Sequence, residues 1–125
     1  MTVFVDNVRI PYGRMVMCHM WASKTDETGA YVEDLDGLLA MADAIGVARR
    51  WLQAPPKAQW IHFDISLGMK VKAIERGAVL TDKYGPIEHT IKLGHRSAID
   101  LASIAGLRAR FGLPADGIIR QDETA

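Results

Sequence analysis

Ile61-His62-Phe63-Asp64-Ile65-Ser66, followed by Leu67 to Arg76 and then Gly77, decides how the rest of the chain reads. Apolar Ile61, Phe63 and Ile65 alternate with polar His62, Asp64 and Ser66, the period of a half-buried strand. His62 and Asp64 therefore share a face. Ser66 is suited to cap a helix, its hydroxyl oxygen accepting from the free N–H groups of the first turn. Gly77 is suited to end it, so Leu67 to Arg76 reads as a helix. A strand running into a helix, with an imidazole and a carboxylate at the junction, is a place where an α/β domain can hold an anion or a metal.

The flanking sequence extends this alternation of strand and helix. Val3-Phe4-Val5 is a wholly apolar run that reads as an interior strand ending at Asp6. Asn7 to Arg14, with Pro11 and Gly13, reads as a loop. Met15 to Ala22 reads as a buried strand in which His19 is the one ionisable residue, and Ser23 to Gly29 as an exposed excursion. From about Asp34 to Ile45, Leu35, Leu38, Leu39, Ala42 and Ile45 form a helical stripe that Gly46 closes. Val47 to Gln53 is expected to be a strand broken by Pro55 and Pro56. Ala78 to Thr81 is expected to be another strand. The alternation of Ile87, His89, Ile91 and Leu93 predicts the second arm of a hairpin. Ser97 and Asp100 have the spacing of a capping box for a third helix that runs to Phe111 and stops at Gly112 and Pro114. The expectation is an α/β single-domain layered fold, with a small mixed sheet and about three helices, over residues 1–115. Residues 116–125 are expected to be a flexible tail, the last five disordered.

Composition narrows the function classes. The chain has 125 residues, 49% hydrophobic and 24% charged, with 15 basic and 15 acidic side chains. A zero net charge argues against general binding to a nucleic-acid backbone or an anionic membrane, and it lowers the barrier to self-association. A single cysteine, Cys18, excludes an internal disulfide and suits a reducing compartment. Asp6 interrupts the N-terminus too early for a secretory leader, and no apolar run reaches the ~18 residues of a membrane span. A cytoplasmic protein is the expectation.

The candidate site centres on Asp6, His62 and Asp64. Asp6 follows an apolar strand, as ligand-bearing acids of α/β sheets do, and resembles the opening acid of PIN-type nucleases; with Asn7 it also suits a plain turn. Asp6 and Asp64 are the candidate metal ligands, with Asp36 or Asp100 as a third carboxylate for a divalent cation such as Mg or Mn. His62 and Asp64 suit metal binding or acid–base work, and equally a capping acid with a hydrogen-bonded core histidine. His19 reads as a core histidine unless it faces His62. Cys18, its neighbour, points to the opposite face on a strand, which argues against a Cys–His nucleophile made from these two. Arg14, Arg50 and Lys57 are candidate phosphate clamps, Arg49 and Arg50 pointing opposite ways if their segment is a strand, and Ser66 with its helix N-terminus a candidate anion receiver. Trp51, Trp60 and Tyr12 are candidates for stacking or core packing. His89 and His95 are too loosely spaced for a metal signature. No Walker loop, G-x-G-x-x-G, H-E-x-x-H or cysteine-based zinc pattern is present.

The segments Val3-Phe4-Val5-Asp6-Asn7, Pro11-Tyr12-Gly13-Arg14-Met15-Val16-Met17-Cys18-His19-Met20, Arg50-Trp51, Gln53-Ala54-Pro55-Pro56-Lys57, His62-Phe63-Asp64-Ile65-Ser66 and Gly77-Ala78-Val79 occur in an order that resembles the bacterial and bacteriophage family catalogued as domain of unknown function 4031. The resemblance covers about Met1 to Thr81, with an insertion around Lys24 to Val32. It implies a bacterial or phage cytoplasmic setting and no established activity. Family members often carry a histidine where this chain has Leu39 and another where it has Leu52, so a metal site built on those imidazoles would lack two ligands here. Gly106 to Gly112 faintly resembles part of a helix-turn-helix.

Two functional expectations follow. One is binding of a phosphate-bearing ligand, a nucleotide or nucleic-acid end, extended to metal-assisted phosphoester hydrolysis. The other is a non-catalytic bacteriophage accessory protein that binds a host protein or sequesters a small molecule as a homo-oligomer, using the apolar hairpin and third helix as its contact surface.

Overall fold

The computed structural model describes residues 1–120. It is organised on one long strand, β3 (Met15–Thr25), which pairs antiparallel with β1 (Thr2–Asp6), β2 (Ile10–Tyr12), β4 (Tyr31–Glu33) and β5 (Phe63–Ser66). Met20 faces Val5 on one edge and Phe63 on the other, and Met17 faces Ile10 and Ser66. One strand thus brings the N-terminal segment and the His62–Ser66 segment to opposite sides of itself. β6 (Val79–Thr81) adds parallel to the far edge of β1, which makes the sheet mixed and β1 an interior strand, as its apolar run predicts. No helix among the described residues is long and apolar enough to cross a membrane.

Alternation gives the sheet two different faces. Val3, Val5, Cys18, Met20, Ala22, Phe63, Ile65 and Leu80 point to one side and form the core with Leu38, Ala42 and Ile45 of α1 (Leu35–Ile45) and Ala73 of α2 (Leu67–Glu75). Both helices end as the sequence predicts: Asp34 and Ser66 cap them, and Gly46 and Gly77 follow with φ of 87° and 98°. The opposite face carries Phe4, Asp6, His19, Trp21 and Asp64. It is overlaid by Trp60, whose ring packs edge-on to Trp21 at 5.7 Å, and by His89 of α3 (Gly85–Lys92) at 6.1 Å from Trp21. α4 (Leu101–Arg110) packs against α3.

Several expected elements are replaced. The loop over Asn7 to Arg14 contains β2, and the excursion at Ser23 is the end of β3, which turns back as β4; both are held by β3 being longer than its apolar run. Val47 to Gln53 is not a strand. Arg49–Trp51 form a 3-10 turn, so strand alternation does not govern Arg49 and Arg50, and only Gln53 pairs, bridging to His62. The hairpin arm at Ile87 to Leu93 is the helix α3. Pro86 in its first turn presets helical φ, Glu88 and Lys92 pair at 3.2 Å one turn apart, and buried His89 rather than exposed Ile87 faces the sheet. Gly85 permits that helix to start against Thr81 and Trp21, where any Cβ would collide. α4 begins later than expected: Asp100, not Ser97, is its cap, accepting from the Ser103 amide at 2.8 Å. The described residues thus hold a mixed sheet and four α-helices, in keeping with the expected α/β fold of about three helices. The tail expected from Asp116 instead begins by returning to the sheet, Ile118 bridging to Thr81 and the Ile119 amide donating to the Leu80 carbonyl at 2.8 Å. The expected disorder of the last five residues lies outside the described residues.

Candidate metal centre

The site begins where the β1–β3 ladder stops. Val5 and Met20 are its last pair at that end. Asp6 then takes over with its side chain: its Oδ1 accepts the His19 backbone N–H at 3.0 Å and its Oδ2 accepts from His19 Nδ1 at 2.7 Å. Asp6 is fully buried, and both of its oxygens serve one neighbour. Across β3, His19 is paired with Asp64 of β5.

His62 is fixed from the other side. Its backbone makes both hydrogen bonds of the bridge to Gln53, at 2.8 and 2.9 Å. Its Nδ1 lies 3.0 Å from the Trp60 carbonyl, and the Trp60 indole stacks on the imidazole at 4.1 Å and 15°. A carbonyl oxygen can only accept, so His62 Nδ1 carries the proton and Nε2 keeps a free lone pair. The Asp6 carboxylate imposes the same tautomer on a neutral His19. Both Nε2 atoms face Asp64 Oδ1, that of His62 at 3.5 Å and that of His19 at 3.9 Å. The three donor atoms lie within 4.8 Å of one another.

The three groups are of the kinds that could hold a metal ion. Tetrahedral coordination with bonds of about 2.0–2.1 Å puts donors about 3.3 Å apart, shorter than the 3.5 and 3.9 Å of the two imidazole–carboxylate contacts and than the 4.8 Å within which all three donors lie. Each imidazole is tied at Nδ1 by an oxygen acceptor, the outer contact that orients metal-bound histidines. Asp64 is half-exposed, so the side of the group facing solvent is left for water or substrate. Burial draws the His19 imidazole towards its neutral form, but the bond to Asp6 and the charges of Asp6 and Asp64 outweigh it and raise its pKa. The His62 contact, more than His19, lowers that of Asp64, against partial burial. Behind the site, burial and the charge of Asp6 push the Cys18 thiol up to about 12, which leaves it an inert core group.

Of the residues singled out in the sequence, His19, His62 and Asp64 converge, and Asp6 stands behind His19 with both of its oxygens bonded to that residue. Asp36 and Asp100 do not join the group: Asp36 is in the first turn of α1 and Asp100 caps α4. The Ser66 hydroxyl is committed to its capping bond with the Met69 amide at 3.2 Å. Arg14, Arg50 and Lys57 are exposed on connecting segments, Arg50 lying over the Trp51 ring at 5.1 Å. The Trp60 carbonyl is a contribution that no side-chain pattern signals.

A family model described as "Protein of unknown function (DUF4031)" matches residues 3–92 of the chain. No curated protein and no solved structure matches it.

Proposed function

Because this chain belongs to the DUF4031 family, whose description gives no activity, we propose a function from its own geometry: metal-assisted hydrolysis of a phosphate-bearing ligand, with the ion held by His19, His62 and Asp64. The observation that carries the reading is the convergence of two imidazole Nε2 atoms and one carboxylate oxygen, each imidazole locked in the ligating tautomer by a separate acceptor. Two nitrogens and one oxygen suit zinc or a similar transition metal better than the all-oxygen preference of Mg²⁺, with Mn²⁺ between them. Such an ion polarises a phosphoryl oxygen and lowers the pKa of a bound water from 15.7 towards about 7. The chain's own part is to hold the three donors, to keep His19 oriented through Asp6, and to leave the exposed side of Asp64 open. The N-terminus of α2, one residue beyond Ser66, supports an anionic ligand by its dipole.

The test is equilibrium dialysis against Zn²⁺ and Mn²⁺, followed by assay of bis(p-nitrophenyl) phosphate. One tightly bound ion per chain, lost in His62→Ala, and metal-dependent turnover, lost in Asp64→Ala, are expected. Absence of a stoichiometric ion at micromolar concentration overturns the reading. The non-catalytic reading, a bacteriophage accessory protein binding a host protein or a second copy, is favoured by one observation: Ile10, Tyr12 and Met15 are exposed together on the β2–β3 hairpin. A monomer by sedimentation at high concentration counts against its oligomeric form.

A further inference from the structure

The sheet face that carries His19 continues through Trp21 into a cavity of about 280 Å³, bordered by Phe4, Trp21, Tyr31, His89, Lys92 and Arg108. At its wall lies a second cluster, separate from the metal centre. His89 is buried, and both ring nitrogens are engaged: Nδ1 lies 2.6 Å from the Tyr31 hydroxyl and Nε2 lies 3.2 Å from Glu33 Oε1. A carboxylate only accepts, so Nε2 carries the proton and Nδ1 accepts from the phenol. The chain of contacts is carboxylate, imidazole, hydroxyl, the arrangement in which a base oriented by an acid activates a nucleophile.

Neither strand nor helix alone makes this cluster. Tyr31 and Glu33 are two residues apart on β4 and so share a face, while His89 reaches them from α3. Contact with Ser23 works against burial to lower the Tyr31 pKa. Two cations border the cavity beside it: the Lys92 ammonium lies 5.6 Å from the Tyr31 ring centre, and the Arg108 guanidinium is also on the wall. Glu88 holds both in place, at 3.2 Å from Lys92 and 2.7 Å from Arg108. Arg108 is taken up by Asp82 and Glu88, but the Lys92 head is partly exposed, and a cation beside a hydroxyl suits an electrophile whose non-bridging oxygens gain negative charge.

We propose that Tyr31 is a nucleophile towards phosphoryl electrophiles, with His89 as its general base and Glu33 orienting the imidazole. In the step, Tyr31 Oη forms a bond to phosphorus and the bond from phosphorus to the leaving group breaks. The phenolic proton passes to His89 Nδ1 and from there to solvent, while the leaving oxygen, in line on the far side of phosphorus, takes its proton from water. The result is a phosphotyrosyl chain and the released alcohol, with no redox change. Because burial raises the Tyr31 pKa, with the charges of Glu33 and Glu88 adding to it, attack is coupled to proton transfer instead of proceeding from a free phenolate.

The experiment treats the full chain with a fluorophosphonate, for which fluoride is the leaving group, and maps the adduct by peptide mass spectrometry. It is run with a chelator present, so its result stands apart from the metal centre. Labelling of Tyr31 at least tenfold faster than of Tyr12, which is 73% exposed, is expected. His89→Gln should lower the Tyr31 rate at least tenfold, Glu33→Gln by a smaller factor, and Tyr31→Phe should abolish the adduct. Labelling of Tyr31 no faster than Tyr12 overturns the proposal. So does an unchanged rate in His89→Gln with a wild-type circular dichroism spectrum. If His89→Gln does not fold, Glu33→Gln, whose carboxylate lies on the partly exposed strand β4, decides in the same way.

Discussion

Asp6 shows how much one buried carboxylate can organise. A strand amide left over at the end of a ladder needs an acceptor, because an unpaired buried N–H costs about 1–3 kcal/mol. Asp6 Oδ1 supplies it, and the other oxygen is then positioned to set the His19 tautomer. Replacement by asparagine keeps an oxygen for the backbone amide but removes the charge that holds Nδ1–H. Asp6→Asn should therefore fold normally and bind Zn²⁺ about 10–100-fold more weakly, the usual effect of losing an outer-shell partner. Competition against a chromophoric chelator reads this directly, and an unchanged affinity would remove Asp6 from the site.

At the level of elements, two helical glycines separate propensity from context. Gly106 lies in α4 with nothing near the position a Cβ would take. Gly106→Ala should stabilise by about 0.4–1 kcal/mol in urea unfolding, through the restricted unfolded chain. Gly37 lies in the first turn of α1, where a Cβ would meet the Asp34 carboxylate that caps the helix and the Met1 side chain. Gly37→Ala should give no such gain, since displacing a cap costs about 1 kcal/mol. The cap of α4 carries a pH signature. The Ser103 amide and hydroxyl hold the Asp100 pKa below its ordinary 3.8. A carboxylate depressed in the folded state contributes stability above its unfolded pKa and loses it as pH falls through the folded value. The stability difference between wild type and Asp100→Asn should be constant above about pH 5 and shift against wild type below 3.8, where the carboxylate takes up a proton. Urea titrations at pH 3 and pH 6 measure it, and a difference that stays constant would assign the cap to another group.

On the scale of the whole molecule, a buried cation helps to join residues beyond the family match to the matched body. Arg108 of α4 bonds both oxygens of Asp82, at 2.9 and 3.2 Å, pairs with Glu88 of α3, and donates to the Ala115 carbonyl. Gly117 passes directly over its guanidinium with φ of 73°, a place where a side chain would collide. Asp82 in turn accepts from the Tyr84 amide just ahead of α3 and donates its own backbone N–H to the Gly117 carbonyl. Arg108→Met leaves the Asp82 carboxylate buried without its cation, and should cost about 3–5 kcal/mol. Thermal unfolding of the variant should show a lower midpoint. A change within ±0.5 kcal/mol would mean that α4 contributes little to the fold.

The sequence by itself determined the parts whose physics is local. Alternation over Ile61 to Ser66 marked β5, Ser66 and Gly77 bounded α2, and Gly46 closed α1, because caps and periodicity act within a few residues. It also singled out Asp6, His19, His62 and Asp64 as residue types with chemistry to offer. Tertiary structure alone decided which of them meet. The pairing of β1 and β5 on opposite edges of β3 sets Asp6 behind His19 and Asp64 beside it, and the Gln53 bridge with the Trp60 carbonyl and ring fixes His62. The segment from Ile87 to Leu93 marks the same limit. Its alternation suited a strand, yet Pro86 and the burial of His89 against Trp21 made it a helix, since packing against a distant surface outweighs a short pattern. The Tyr31–His89–Glu33 cluster exists for that reason, and nothing local in the sequence announces it.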